Sequence, residues 1–261
     1  MNSKDKIIYI SNWIKDYAKS INNNPTTLVI GVSGGVDSAL TSTLCAQTGL
    51  KTIAVSMPIK QNSSQHDLSL RHLKFLELNY PNVETKIIEL DNVFKTFQNT
   101  MQNFDSELAF ANSRSRLRMV TLYQIAQSNN GIVVGTGNKV EDFGVGFYTK
   151  YGDGGVDISP IADLMKSEVY ALSKHLKISN DILNAPPTDG LWDDDRNDED
   201  QIGVSYEDLE NIMNRLEQGE DPKGFSNEIK SFYEIYIGHH NTNKHKMVEI
   251  PVCKIPDKLK L

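Results

Sequence analysis

Ser33, Gly34, Gly35, Asp37 and Ser38 are the residues of this chain whose types and spacing best suit chemistry. The apolar run Leu28-Val29-Ile30 leads into two adjacent glycines and then a helix start, so the order reads strand, tight turn, helix. Glycines at such a turn let backbone N–H groups approach an anion, and the positive end of the following helix points at the same place. Ser33 and Ser38 add hydroxyl donors. The chemistry this favours is phosphate binding. No Gly-Lys-Ser/Thr follows, so the turn is not the kinase-type phosphate loop. Taken alone, it is also compatible with a plain connection between strand and helix.

Three further segments carry functional groups. In Asn112-Ser113-Arg114-Ser115-Arg116-Leu117-Arg118 the spacing predicts the start of a long helix reaching toward Ser128. On it Asn112, Arg116 and Tyr123 fall within about 40° of one another, while Arg114 and Arg118 share another stripe. A solvated basic face explains the same pattern. Gly135-Thr136-Gly137-Asn138-Lys139-Val140-Glu141 reads as a strand end, a small-residue turn and a carboxylate. If that strand neighbours the one ending at Ser33, Glu141 faces Asp37, and two carboxylates with phosphate oxygens form the hard set that Mg²⁺ prefers. Each acid also has a simple explanation, a helix-dipole partner for Asp37 and a surface loop for Glu141. The run from Phe147 to Asp157 combines aromatic stacking faces with glycines that fold closely over a ligand. Asp153, set between glycines, equally suits a turn.

These groups need a frame. Short apolar runs at 28–32, 52–57, 85–90 and 132–135 alternate with helical segments, which predicts an α/β fold with an open parallel sheet and helices on both faces. Ligands in such sheets sit beyond the carboxyl ends of the strands, where both glycine turns fall. Ile7, Ile10, Ile14 and Tyr17 predict an opening amphipathic helix, and 165–176 a later one. Pro186-Pro187 then breaks the chain before an acidic segment, 188–203. Ser205 with Asp208 predicts a helix start whose apolar stripe is Tyr206, Leu209, Met213 and Leu216. A last helix is expected over 225–237, followed by an extended tail over 239–261 in which His239, His240 and His245 are polar rather than metal-binding. Asp193-Asp194-Asp195-Arg196-Asn197 fails the calcium-loop pattern, with Asp198 at the glycine position and Val204 at the glutamate position.

Composition sets bounds. The 261 residues suit one domain spanning 1–261, and a net charge of −7 argues against a nucleic-acid partner. The first residues contain no long apolar run, so neither a signal peptide nor a membrane span is expected, and a cytoplasmic location follows. Cys45 and Cys253 are far apart and form no CxxC pair; Cys45 reads as a packing residue.

Taken together, the segments resemble the NAD synthetase family, ATP pyrophosphatases with an SGGxDS loop. The matches are SGGVDS at 33–38, NSRSRLR at 112–118, GTGNKVE at 135–141, FYTKYGDGGVDISP at 147–160, LMKSEV at 164–169 and APPTDGLW at 185–192, in family order. The resemblance implies ATP-dependent amidation of nicotinic acid adenine dinucleotide through a dinucleotide adenylate, with release of AMP and pyrophosphate. It assigns Ser33, Gly34, Gly35, Val36, Asp37, Ser38, Arg116, Thr136, Lys166 and Thr188 to ATP and pyrophosphate. Asn112, Tyr123, Phe147, Lys150 and Asp157 fall to the dinucleotide, and Asp37 and Glu141 to Mg²⁺. Asp153 would stand where ammonia enters and Lys166 at the transferred phosphoryl group, the two catalytic assignments. A symmetric dimer through the long helix after Asn112 is implied as well. The phosphate loop begins too early for a preceding glutamine amidase domain, so ammonia is the expected nitrogen donor. A tRNA-modifying or GMP-forming pyrophosphatase, or a non-catalytic adenine-nucleotide module, are the competing readings.

Overall fold

Within strand β1 (Thr27–Gly31), side chains alternate between two apolar environments, so both faces of its sheet must be covered. Leu28 and Ile30 pack on one side and Val29 on the other. The computed structural model describes residues 2–21, 25–60, 63–188 and 197–260. In it β1, β2 (Lys51–Ser56), β3 (Val83–Ile87) and β4 (Gly131–Val133) form a parallel sheet in the order β3-β2-β1-β4. A bridge from Val134 to Ile158 extends the β4 edge.

Helices cover both faces. Helices α1 (Ser3–Ser20), α2 (Val36–Gln47) and, further along the chain, Lys166–His175 place Ile14, Leu40, Leu44 and Leu172 against the Leu28/Ile30 side. On the Val29 side, α4 (Asp91–Thr100) and α5 (Glu107–Ser128) bring Phe94 and Ala126 onto Ile53 and Val55. The helix α3 (Ser63–Asn79) runs between β2 and β3. The Lys166–His175 helix is α6 in chain order; α7 (Asn180–Leu183), α8 (Asp198–Ile202), α9 (Tyr206–Glu217) and α10 (Asn227–Met247) follow. A third apolar cluster joins α9 and α10 to a π-helix, Lys139–Val145, through Val140, Val145, Leu209, Ile212 and Tyr236.

Three boundaries differ from the sequence reading. The third strand spans 83–87 rather than 85–90, because the Asn82 amide donates to the carbonyls of Ala46 and Leu50 and starts the strand early, while Leu90 caps α4. The long helix begins at Glu107, capped by Ser106, so Asn112 lies well inside it. The expected tail from 239 is helix as far as Met247. Its polar side chains conceal the periodicity yet anchor it: His239 donates to Ile202 O (2.9 Å), His240 to Gly144 O (2.8 Å) and Asn243 to Val145 O (2.9 Å). Of the acidic segment, 189–196 lies outside the described residues, and with it Asp193–Arg196 of the calcium-loop pattern.

Buried polar pairs have consequences for stability. His72 is buried, its Nε2 2.9 Å from Ser42 Oγ, and burial lowers its pKa to about 4. The folded state therefore holds a neutral ring while the unfolded chain takes up a proton below about 6.5. Stability is lost as the pH falls from about 6.5 toward 4, by about 3 kcal/mol at most. In His72→Gln that part of the acid sensitivity should vanish, measured as the difference in unfolding free energy between pH 7 and pH 4.5.

Candidate active site

The sheet order makes β1 and β4 adjacent parallel strands. A cavity of about 270 Å³ opens beyond their carboxyl ends, where such sheets bind ligands. Its lining contains Ser33, Gly34, Gly35, Val36, Asp37, Ser38, Thr136, Glu141, Phe147, Asp153, Lys166 and Thr188, twelve of the residues singled out from sequence.

The glycine turn is built by its own hydroxyls. Ser38 Oγ donates to Gly35 O (2.9 Å) and accepts from Ser33 N (3.2 Å), while Gly35 N donates to Ser33 Oγ (3.2 Å). Gly34 adopts φ +98°, and a Cβ there would stand 2.6 Å from Gln65 O at the start of α3. Backbone strain of this kind costs about 1–3 kcal/mol. Gly34→Ala should lower the unfolding midpoint by several degrees, with weaker ATP binding by calorimetry.

Deeper in the cavity, one lysine and two acids form a closed set. Lys166, the first residue of α6 and 3 % exposed, donates to Asp37 Oδ2 (2.7 Å) and to Glu141 Oε1 (2.8 Å). Met165 N donates to Glu168 Oε2 (3.0 Å), which fixes the helix start and turns Lys166 inward. Glu141 reaches the set because a π-helix, a frequent device at functional sites, replaces an ordinary turn after β4. Burial opposes the Lys166 charge, but the two carboxylates outweigh it and hold the ammonium above its usual range. Burial likewise pushes the Asp37 carboxyl up, whereas at Glu141 the Lys166 charge and hydrogen bonds overcome burial and hold it below.

Two residues of this set were not singled out from the sequence. Asn138, fully buried, donates from Nδ2 to Asp37 Oδ1 (2.9 Å), and its Oδ1 accepts from Val140 N and Glu141 N (both 3.1 Å). Tyr206 was read as part of an apolar stripe, yet its hydroxyl donates to Glu141 Oε1 (2.6 Å). The signal for Asn138 was present, as an Asn at a helix start beside a strand end; that for Tyr206 was not.

Asp153 also lines the cavity. Its Oδ1 accepts from Ser115 Oγ (2.7 Å) and Thr149 N (2.9 Å), and its N–H donates to Ser115 Oγ (2.8 Å). The residue is itself exposed, while the protein packed beside the carboxylate partly desolvates it and raises its carboxyl above the ordinary range. Asp142, also in the lining, is raised further by burial and by Asp153 and Glu141.

Five sequence candidates lie away from the cavity lining, on α5 and the loop beside it. Arg116 donates to Lys150 O (3.3 Å), Thr149 donates to Asn112 Oδ1 (2.6 Å), Lys150 to His245 O (3.0 Å), and Tyr123 to Asp157 Oδ1 (3.0 Å). Asp157 also holds Val133 N (2.7 Å) at the end of β4. The arginine that does line the cavity is Arg118, held by Met57 O at 3.0 Å, while Arg114 lies over the Phe94 ring. Cys45 is buried in α2, where burial pushes its thiol up, as suits a packing residue. No helix among the described residues is long and apolar enough to cross a membrane.

Known proteins match this arrangement along its whole length. A family profile described as NAD synthase matches residues 6–247. An NH₃-dependent NAD⁺ synthetase of Archaeoglobus fulgidus is 33% identical over 99% of this chain and 100% of its own. Among solved structures, an NMN synthetase from Francisella tularensis superposes with a TM-score of 0.83 at 32% identity, covering 98% of this chain and 99% of that one. The NH₃-dependent NAD synthetase of Campylobacter jejuni, solved with a nitrate ion, gives 0.78 at 27%, covering 97% and 100%. The chain therefore belongs to the NAD synthase family, ATP-using ligases, and to its ammonia-dependent kind.

Proposed function

We propose that the cavity adenylates the carboxylate of nicotinic acid adenine dinucleotide and then passes the acyl group to ammonia. A nicotinate carboxylate is anionic and repels nucleophiles, so amide formation needs an activated acyl group. A carboxylate oxygen attacks the α-phosphorus of ATP, and pyrophosphate leaves into the Ser33–Ser38 turn. Ammonia then attacks the acyl carbon, the bond to AMP breaks, and a proton is released. The observation that carries this reading is the Lys166 ammonium held between Asp37 and Glu141 directly beside the glycine turn.

The residues present fit Mg²⁺. Among the described residues no three acids, histidines or cysteines group into a cage, but Mg²⁺ in nucleotide sites takes one or two carboxylates plus phosphates. Asp37 and Glu141 supply that pair. The ion would neutralise charge on the leaving pyrophosphate. Lys166 clamps the transferred phosphoryl group, Thr136 and Thr188 contact ATP, and Phe147 offers a face to the substrate ring. Asp153 binds ammonium.

A second reading concerns the acyl substrate. The NMN synthetase superposes more closely than the Campylobacter enzyme, which favours the mononucleotide, the same carboxylate with half the molecule. Incubation with ATP, Mg²⁺ and ammonium, with each deamido nucleotide in turn, decides between them by kcat/KM. The main reading expects the dinucleotide to lead by tenfold or more; a lead for the mononucleotide transfers the assignment to it. Glutamine in ammonia-free buffer should support neither reaction.

A homodimer through α5 completes the reading. Leu108 and Val120 expose more than half their surface on this helix, and Asn112, Arg116, Tyr123, Lys150 and Asp157 gather near it, outside the cavity. A second copy on this face would bring them to the far end of a dinucleotide. Sedimentation should give a dimer at micromolar concentration; a monomer with activity unaffected by dilution contradicts it.

A further inference from the structure

Tyr206 stands at the first position of α9, capped by Ser205, whose Oγ accepts from Asp208 N (3.1 Å). It belongs by burial to the apolar cluster of α9, α10 and the π-helix, at 8 % exposure. A phenylalanine would satisfy that cluster. The hydroxyl, however, ends on Glu141 Oε1 at 2.6 Å, and the same oxygen accepts from Lys166 Nζ at 2.8 Å. The Lys166 ammonium also lies over the Tyr206 ring, 4.8 Å from its centroid. The hydroxyl is 3.4 Å from Asp198 Oδ2, at the start of α8.

One side chain thus touches two of the three charged groups beside the glycine turn, Glu141 and Lys166, and an acid of the acidic segment. Glu141 sits in a π-helix, Lys139–Val145, a form frequent at functional sites. Its carboxylate is held by side-chain partners, Tyr206 and Lys166 on one oxygen, with Asn138 accepting from its backbone N–H. We infer that Tyr206 is a positioning residue, which fixes the Glu141 carboxylate for the cation and ties the fold of α8 and α9 to the phosphate end of the site.

The inference rests on the reading of Glu141 as a Mg²⁺ ligand, and the test separates the two. Mn²⁺ is titrated into protein with ATP present and followed by the electron paramagnetic resonance of the free ion, for wild type, Tyr206→Phe, Glu141→Gln and the double variant. Loss of a partner that orients a ligand typically weakens metal affinity about 10- to 100-fold. Tyr206→Phe should weaken Mn²⁺ binding in that range, and Tyr206→Phe in the Glu141→Gln background should add less than threefold. Leu209→Ala, a deletion in the same buried cluster, should lower the melting temperature and leave Mn²⁺ affinity within twofold. If Glu141→Gln leaves Mn²⁺ affinity unchanged, the ligand assignment fails. If Glu141→Gln weakens binding while Tyr206→Phe does not, or Leu209→Ala weakens it as much as Tyr206→Phe, Tyr206 is only packing.

Discussion

Lys166→Met lowers the rate of adenylate formation about 10²- to 10³-fold, the typical effect of removing one group aimed at developing charge. The reason is its placement. Lys166 is the cation already enclosed by Asp37 and Glu141, and a phosphoryl group entering beside the glycine turn meets its ammonium without reorganisation. The same substitution leaves two buried carboxylates without their counter-charge, which costs about 3–5 kcal/mol when one partner of a buried pair is removed. The melting temperature of the ligand-free variant should therefore fall steeply, and Mg²⁺ with ATP should restore more of it than in wild type, because the added cation replaces the missing charge. Single-turnover measurement of pyrophosphate release with ammonia absent gives the rate. A variant that melts like wild type and adenylates at the wild-type rate would remove Lys166 from the chemistry.

Asp153→Asn should separate the two half-reactions. Ammonia is mostly ammonium at neutral pH, and an ordinary carboxylate is a weak base for removing its proton. Partial desolvation raises Asp153, which improves the match, and Ser115 and Thr149 hold the carboxylate in place. The variant should need far more ammonium and form amide at least 10²-fold more slowly at low ammonium, the lower range for general acid–base contributions, while adenylation survives. Stability gives a second readout. A raised carboxyl pKa means that the folded protein holds the proton more tightly than the unfolded chain. Above the ordinary carboxylate range the ionised Asp153 therefore adds nothing to stability, and because the residue is exposed solvent screens the effect, so Asp153→Asn should melt close to wild type at pH 7. Loss of the adenylation step together with amidation would place Asp153 in the first half-reaction.

The sequence disclosed those parts of the molecule in which local pattern and tertiary role coincide. The parallel sheet was legible because every strand is buried on both faces except the edge strand β3, whose polar side chains displaced its expected boundaries. That the glycine turn, Asp37 and Glu141 share one cavity was legible because residues following parallel strands fall at the same end of the sheet. Lys166 was visible only through the family pattern; its composition alone reads as a surface helix lysine, yet it is buried by acids from two distant segments. The stripe on α5 divided the other way from expectation. Helical periodicity grouped Arg114 with Arg118 and Asn112 with Arg116, but it carries no information about which stripe faces the sheet, and Arg118 faces the cavity. The polar end of α10 was hidden because its stability comes from side chains reaching carbonyls of the π-helix and its flanks, a contact set that apolar spacing does not encode.

The central claim is that an acyl adenylate forms before ammonia acts. Labelled pyrophosphate exchanging into ATP tests it most directly, with Mg²⁺ and the deamido nucleotide present and ammonia absent. The account predicts exchange that requires the nucleotide and disappears in Lys166→Met. Amide formed on ammonium addition by a protein that shows no such exchange, or exchange equally fast without the nucleotide, would contradict it.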